Sequence, residues 1–404
     1  MLRSLFAGVS GLRNHQVRMD VIGNNIANVN TVGFKASRVN FAEALSQTIR
    51  GAQAPSEARG GMNAMQVGLG VQVGSIDTLF TQGNLQYTGN LTDLAIQGDG
   101  FLVVGDGLRR FYTRDGAIVM DADGNLVHAS SGLRLMGWQA DAAGSVDTAG
   151  PLSPLRIPVG THIPPRAPGN VTFGGNLDAA SDVGATWTTT VTVFDSLGNP
   201  VELVVEFERT GTNEWTWTAR YDGTDVGTGT VTFGTDGTVA GGGTATLTFD
   251  PGTGADPLSL TLDFSGLTQY GGASTVSLQH QDGYATGSLE SFAIDGNGVI
   301  TGLYSNGRTQ VIGQVALALF ANPGGLLKAG SNLYAESSNS GPVAVGEAGT
   351  GGRGTLTAGA LEMSNVDLAQ EFTNMITAQR GFQANARVIT TSDELLQELI
   401  SLRR

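Results

Sequence analysis

The chain contains no cysteine. A disulfide framework and thiolate metal sites are therefore excluded. Lysine is almost as scarce: Lys35 and Lys328 stand alone, and the other basic residues are arginines. Asp and Glu outnumber Lys and Arg by 36 to 22, a formal net charge of -14. No basic face of the kind that holds nucleic acid is visible, so no nucleic-acid partner is expected. Long apolar runs are missing too. Residues 315–321 (VALALFA) form one of the longest, far too short to cross a bilayer, so no membrane insertion is expected. The start, MLRSLFAGVSGLRNHQ, lacks the apolar core and small-residue cleavage site of a secretory leader. These facts by themselves suggest a cytoplasmic protein, with export lacking a cleaved signal left open.

Glycine is what the chain has in excess, 60 of 404 residues. The glycines show no every-third-residue period, which excludes a collagen-like fibre. They sit in Asp-Gly and Gly-Asn pairs between short alternating runs, the signature of many hairpins. The clearest segment is 186–223, TWTTTVTVFDSLGNPVELVVEFERTGTNEWTWTARYDG. Trp187, Val191 and Val193 alternate with polar residues, and so do Val201, Leu203, Val205 and Phe207, then Trp215, Trp217, Ala219 and Tyr221. The spacing predicts a three-stranded meander with further strands at 231–233, 244–249 and 258–264, closing as a sandwich or barrel.

The two ends read differently. A 3-4 spacing of large side chains marks Leu2, Leu5, Val9, Leu12, Met19 and Ile26 at the front. At the rear the same spacing marks Leu368, Phe372, Met375, Phe382, Ala386, Ile389, Leu396 and Ile400. Each is the stripe of a helix that packs on another helix. Ser364 or Asn365 can cap the second helix, and Asp367 suits its first turn. Both helices also carry apolar residues off the stripe: Phe6 and Ile22, and Ile376, Leu395 and Leu399. Such helices are marginal alone and need several neighbours. They are expected to be loose in a monomer and to order on polymerisation; an ordinary two-helix stalk is the alternative.

The front helix runs into Gly23, Asn24, Asn25, Asn28, Asn30, Gly33 and Phe34. Asparagine is a poor helix-interior residue but tolerates left-handed backbone and bonds locally, so this stretch is a joint between helix and β region.

The expected class is multidomain and mainly β. Two antiparallel, barrel- or sandwich-like β domains lie in the middle, and the terminal helices form a coiled-coil-like core domain. That core takes 1–30 and 362–404, an extended linker 31–66, an inner β domain 67–139 and 282–361, and an outer one 140–281. Residues 151–168 hold six of the twelve prolines and read as a connector.

Chemistry is not signalled. His15, His128, His162 and His280 are scattered, without a second ligand at helical spacing. Asp121-Ala-Asp-Gly-Asn125 opens like a calcium loop, but Gly132 stands where the twelfth-position acid belongs, so a hairpin turn is expected. Gly98-Asp-Gly100 is followed by strand-like text rather than the helix a dinucleotide site needs. No phosphate loop or G-x-S-x-G is present, and nothing in the sequence pairs serine, histidine and aspartate. No catalytic residue, cofactor or metal is expected.

Residues 10–35, SGLRNHQVRMDVIGNNIANVNTVGFK, resemble the N-terminal signature of the bacterial flagellar rod and hook axial proteins. Residues 359–389, GALEMSNVDLAQEFTNMITAQRGFQANARVI, resemble their C-terminal signature. Stretches 67–104, 191–208 and 282–326 are similar to the hook members; the likeness fades at 151–184 and 221–278. The resemblance implies a non-enzymatic subunit stacking with copies of itself into a short, curved, hollow tube outside the cell. Such a tube passes torque from rod to filament as a universal joint, with terminal helices inside and β shells outside. Implied partners are rod proteins, a hook cap, a length-control protein, hook-filament junction proteins and the flagellar type III export apparatus. Residues 50–65 look like extra length, either bridging neighbouring subunits or hanging free. The distal rod protein is the nearest alternative, and a secreted β-rich adhesin a more distant one.

Overall fold

The computed structural model describes residues 2–55 and 59–401, with the side chains of residues 2 and 399 outside the description. Two long helices, α1 (Leu2–Ala27) and α2 (Leu368–Ser401), enclose a succession of strands in the sequence. This is the expected class, mainly β with helical ends. The chain divides into two compact units. The first comprises residues up to 157, 293–301 and those from 311 onward; the second comprises 158–292 and 302–310.

The second unit contains two sheets around one apolar core. The larger has five strands in sequence order, from Thr186–Phe194 through Val239–Gly241. Its turns show why the chain reverses where it does. Asp195 Oδ1 accepts hydrogen bonds from the Leu197 and Asn199 backbone N–H at 2.9 and 2.8 Å, and Gly198 takes φ +88°. The next turns place Asn213 and then Asp222 and Gly223 in left-handed backbone, which Asn, Asp and Gly tolerate best. Strict alternation then buries Val201, Leu203, Val205 and Phe207. The smaller sheet runs Thr244–Phe249, Leu258–Tyr270, Asn170–Asp178, Ser277–Gln281. Its second and third strands pair in parallel, a departure from the all-antiparallel expectation. Phe264 is the hub of the core, with Phe173, Trp217 and Phe207 ring centroids 5.2, 5.4 and 5.6 Å away.

In the first unit the segment after α1 is a long hairpin, not an extended linker. Strands β1 (Ser37–Glu43) and β4 (Val71–Thr78) pair antiparallel at its base. Strands β2 (Ser46–Arg50) and β3 (Met65–Gly68) continue the ladder, and a bridge joins Gln53 to Met62. The composition of the tip, rich in Gly and Ala, hides this pairing; the backbone bonds, not side-chain packing, make it. Deeper in the unit, Phe101–Gly105 is buried along its whole length. It pairs with Arg110–Thr113, with 134–135 and with 317–318. Burial on both faces explains its unbroken apolar text.

Asp121-Ala-Asp-Gly-Asn125 is a hairpin turn in the structure: Asp121 Oδ1 accepts from the N–H groups of Asp123 and Asn125. Asp141, Asp195 and Asp295 repeat the device. Among the described residues no cluster of three metal-type side chains occurs.

Candidate assembly surface

The terminal helices lie against each other within the chain. Side-chain neighbours fix an antiparallel register: Ser4 Oγ is 3.4 Å from Ser392 Oγ, Gly8 faces Ile389, Gly11 faces Asn385, and Gly381 faces His15. Glycine lets the backbones approach closely. A Cβ on Gly381 would stand 2.5 Å from the His15 ring, and one on Gly11 would stand 2.6 Å from the Asn385 amide. Ala378 and Ser392, both buried, complete the small-residue contact.

The large side chains of the sequence stripe therefore flank this contact. Leu5, Leu12, Met19 and Ile26 are half-buried, and Val9 is exposed. On α2, Met375, Phe382, Ala386, Ile389 and Leu396 are half-buried. Leu368, Phe372 and Ile400 are exposed, the last two by 51% and 71%. Off the stripe, Phe6 is 70% exposed, while Ile22 is buried. The Leu2 side chain lies outside the described residues. Pairing within the chain thus leaves much of both helices' apolar surface in water.

The second face of α1 is pinned to the hairpin by polar contacts. Asn14 Nδ2 donates to the Val71 carbonyl at 2.6 Å, and Ser10 Oγ accepts from the Val71 N–H. Asn25, buried, forms two bonds with the Ser37 backbone, one donated and one accepted. His15 meets Phe41 edge-on at 5.6 Å, and its Nδ1 is buried without a hydrogen-bond partner. Burial, then the nearby Arg18, holds the His15 pKa below the usual histidine value.

The asparagine joint works by hydrogen bonds, not by left-handed asparagine. Asn28 Nδ2 donates to the Asn24 carbonyl at 2.9 Å, and Thr31 Oγ1 donates to Asn28 Oδ1 at 3.0 Å. Asn24 and Asn30 are exposed, and Phe34 is half-buried. Left-handed backbone falls on Gly33 alone in this stretch, at φ +67°. A Cβ there would stand 2.5 Å from the Asp115 nitrogen. At the other signature, Asp367 is the helix cap: its Oδ1 accepts from the Ala369 and Gln370 N–H groups. Ser364 and Asn365 are not caps. Asn365 instead accepts from Ala36 N–H and donates to the Leu79 carbonyl, both at 2.8 Å.

Beneath the joint the two signatures are tied by a buried ionic cluster that the sequence does not announce. Lys35 Nζ is 2.6 Å from Glu362 Oε1, and Arg114 Nη1 is 3.2 Å from Oε2. The Gly83 N–H also donates to Oε1, and the Gly33 N–H donates to the Glu362 carbonyl. Burial pushes the Lys35 amine below the usual lysine range, against the pull of Glu362. The scarcity of lysine was the available signal.

The structure also pairs serine, histidine and aspartate, which the sequence reading did not. His128 Nδ1 is 2.8 Å from Ser131 Oγ, and its Nε2 is 3.2 Å from Asp115 Oδ2. His128 is completely buried, and Ser131 Oγ is also engaged by the Leu133 N–H. The three side chains pin a tight turn.

The β2–β3 arm is exposed at every residue. Leu45 and Ile49 are exposed by 69% and 57%, Ile49 being the extra residue where the register shifts between Thr48 and Arg50, and Val67, paired with Gln47, is exposed too. An isolated two-stranded ribbon is marginal in water.

Family models match four stretches of the chain. They are the flagella basal body rod protein at 5–35 and the flagellar hook protein FlgE/F/G D1 domain at 95–173. The flagellar basal body protein FlaE D2 domain matches 166–284, and the flagellar basal body rod FlgEFG protein C-terminal matches 357–402. The flagellar hook protein FlgE of Treponema pallidum is 45% identical, and that of Borreliella burgdorferi 43%, each over the full length of both chains. The flagellar basal-body rod protein FlgG of Bacillus subtilis is 34% identical, also over both full lengths. The crystal structure of Helicobacter pylori flagellar hook protein FlgE2 shares the fold, with a TM-score of 0.54 and 17% identity over 69% of this chain and all of that one. Paired glycine-lined helices at the ends, the joint that ties both end signatures together and full-length identity above 40% agree: this chain belongs to the flagellar hook protein family.

Proposed function

We propose that the chain is a structural subunit of the bacterial flagellar hook, polymerising with itself into a curved tube that carries torque from rod to filament. The observation that carries this reading is the apolar surface left on the helix pair. Phe6, Phe372, Ile376 and Ile400 remain exposed after α1 and α2 have paired. Burying each such side chain contributes ~1.5–3 kcal/mol, enough in sum to drive assembly. The stripe residues, Leu2 to Ile26 on α1 and Leu368 to Ile400 on α2, are its proposed contacts with neighbouring copies. In this reading the paired helices supply a stiff wall of the tube, and the second unit folds around a core of its own.

The arm is proposed to bridge adjacent subunits, laying its exposed Leu45, Ile49 and Val67 on a second copy. Further partners proposed from the family are rod proteins, the hook cap, the length-control protein, the junction proteins and the type III export apparatus. Its proposed place is the hook, outside the cell. Catalysis and cofactors have no part in this reading.

Electron microscopy of purified polymer tests it: a curved tube is expected. A straight tube would favour the distal rod reading, which the full-length similarity to FlgG supports. Failure to polymerise under any condition would remove both.

A further inference from the structure

About a quarter turn round α2 from the lane that meets α1, a second seam lies unoccupied. A 4-3-4 spacing aligns Ala384, Val388, Thr391 and Leu395. The first three line a shallow groove together with Arg380 and Arg387, and Val388 and Leu395 are both more than 40% exposed. Charges border this seam in a second lane, where Arg380, Arg387 and Glu394 follow at seven-residue intervals and Glu398 comes one turn later. All four are exposed.

Their distribution along the helix is polar: basic first, acidic last. None is satisfied locally. The positions three and four residues from Arg380 are Ile376, Thr377, Gln383 and Ala384; those around Arg387 are Gln383, Ala384, Thr390 and Thr391. No ion pair among the described residues uses any of the four. Glu394 and Glu398 stand four apart, a like-charge spacing that weakens the helix. A sequence selected only for a solvated face would interleave the signs; this one separates them.

Two parallel copies of α2 in register would set arginine against arginine. Sliding one copy by about twelve residues, ~18 Å at 1.5 Å per residue, brings Arg387 level with Glu398 and Arg380 level with Glu394 to within about two residues, a gap their long side chains span. We propose that this seam docks α2 of a second copy of the chain, parallel and displaced along the axis. Arg380 and Arg387 of one copy then meet Glu394 and Glu398 of the next. The inference rests on the tubular reading, in which all copies point one way, and adds to it a contact and a stagger. A displaced parallel contact is heterologous: it leaves a basic seam free at one end and an acidic one at the other, so it propagates rather than closing.

Two variants test it. Arg380→Glu with Arg387→Glu makes the lane wholly acidic; Glu394→Arg with Glu398→Arg makes it wholly basic. Circular dichroism and thermal melts check that each chain still folds. Each alone is expected to raise the critical concentration for polymerisation about tenfold or more, since like charges then face each other. Mixed one to one, they are expected to restore polymer. Normal polymerisation by either variant alone overturns the staggered contact while leaving the tubular reading standing. Absence of rescue in a mixture of folded chains does the same. A mixture that yields only dimers in sedimentation velocity shows an antiparallel, closing contact and also overturns it. Wild-type chain that forms no tube removes the reading beneath.

Discussion

Lys35 and Glu362 form a salt bridge of 2.6 Å in which neither side chain reaches solvent. Each comes from one of the two end signatures, so one ion pair closes the first unit on itself.

Replacing Glu362 with alanine strands two buried cations, Lys35 and Arg114. Breaking a buried pair from one side costs ~3–5 kcal/mol. Denaturant unfolding followed by proteolysis is expected to show the first unit lost at much lower denaturant, with the second unit's transition unmoved. Equal stability of the variant would show that the cluster is not what holds the joint.

Gly33→Ala puts a methyl in left-handed backbone, at ~1–2 kcal/mol, and against the Asp115 backbone, at ~1–3 kcal/mol more for overpacking. Thermal melts of the first unit are expected to fall accordingly. Gly23→Ala is the control: a Cβ there meets nothing within 4 Å.

Phe372→Asp is expected to block polymerisation and leave the monomer's melting unchanged, because Phe372 is already half in water. Leu5→Asp is expected to block it too, with some loss of helix. Normal hooks from either chain, scored by electron microscopy, would count against the apolar surface as the driving contact.

Acid should loosen α1. The His15 pKa is lowered, so its contribution is present above the ordinary value of 6.5 and is lost as pH falls through that value toward the folded one. Protection factors across α1, corrected for the pH dependence of intrinsic amide exchange, are expected to fall below about pH 6.5. His15→Gln is expected to flatten the dependence. At the alkaline end, burial raises Tyr334 from 10.0 to about 12. A raised phenol stabilises below its unfolded pKa and ceases to do so as pH climbs from 10 toward 12, so phenolate absorbance and unfolding of the first unit should rise together.

Deleting residues 50–65 is expected to leave a folded subunit whose hooks bend more easily, as judged from their curvature in micrographs. Hooks of unchanged shape and stiffness would show that the arm hangs free.

Much of this was legible in the residues. The 3-4 spacing located both helices because an apolar stripe, here half-buried beside the helix contact, leaves a period that survives in one dimension. The Asp-x-x-Gly-Asn turns and the alternation through Trp215 and Trp217 located the meander, because strand and turn are decided locally. What escaped was long-range or made by absence. Gly8, Gly11 and Gly381 set the closest helix contact through atoms they lack, so a search for large side chains looked to the wrong side of α1. Lys35, Arg114 and Glu362 are far apart in the chain, and no local pattern predicts that they meet. The β2–β3 pairing was hidden because backbone bonds hold it while its side chains remain in water.

The 327-residue separation between Lys35 and Glu362 has a temporal meaning. Any chain that emerges N-terminus first, from a ribosome or a narrow conduit, delivers the ammonium long before its counter-ion. The meander and its partner sheet can close as soon as residue 281 is out, whereas the first unit must wait for Glu362, about nine-tenths of the way along the 404-residue chain. Completion of the fold is therefore a signal that the whole molecule has passed, and a subunit stalled midway carries no finished helix pair with which to join its fellows.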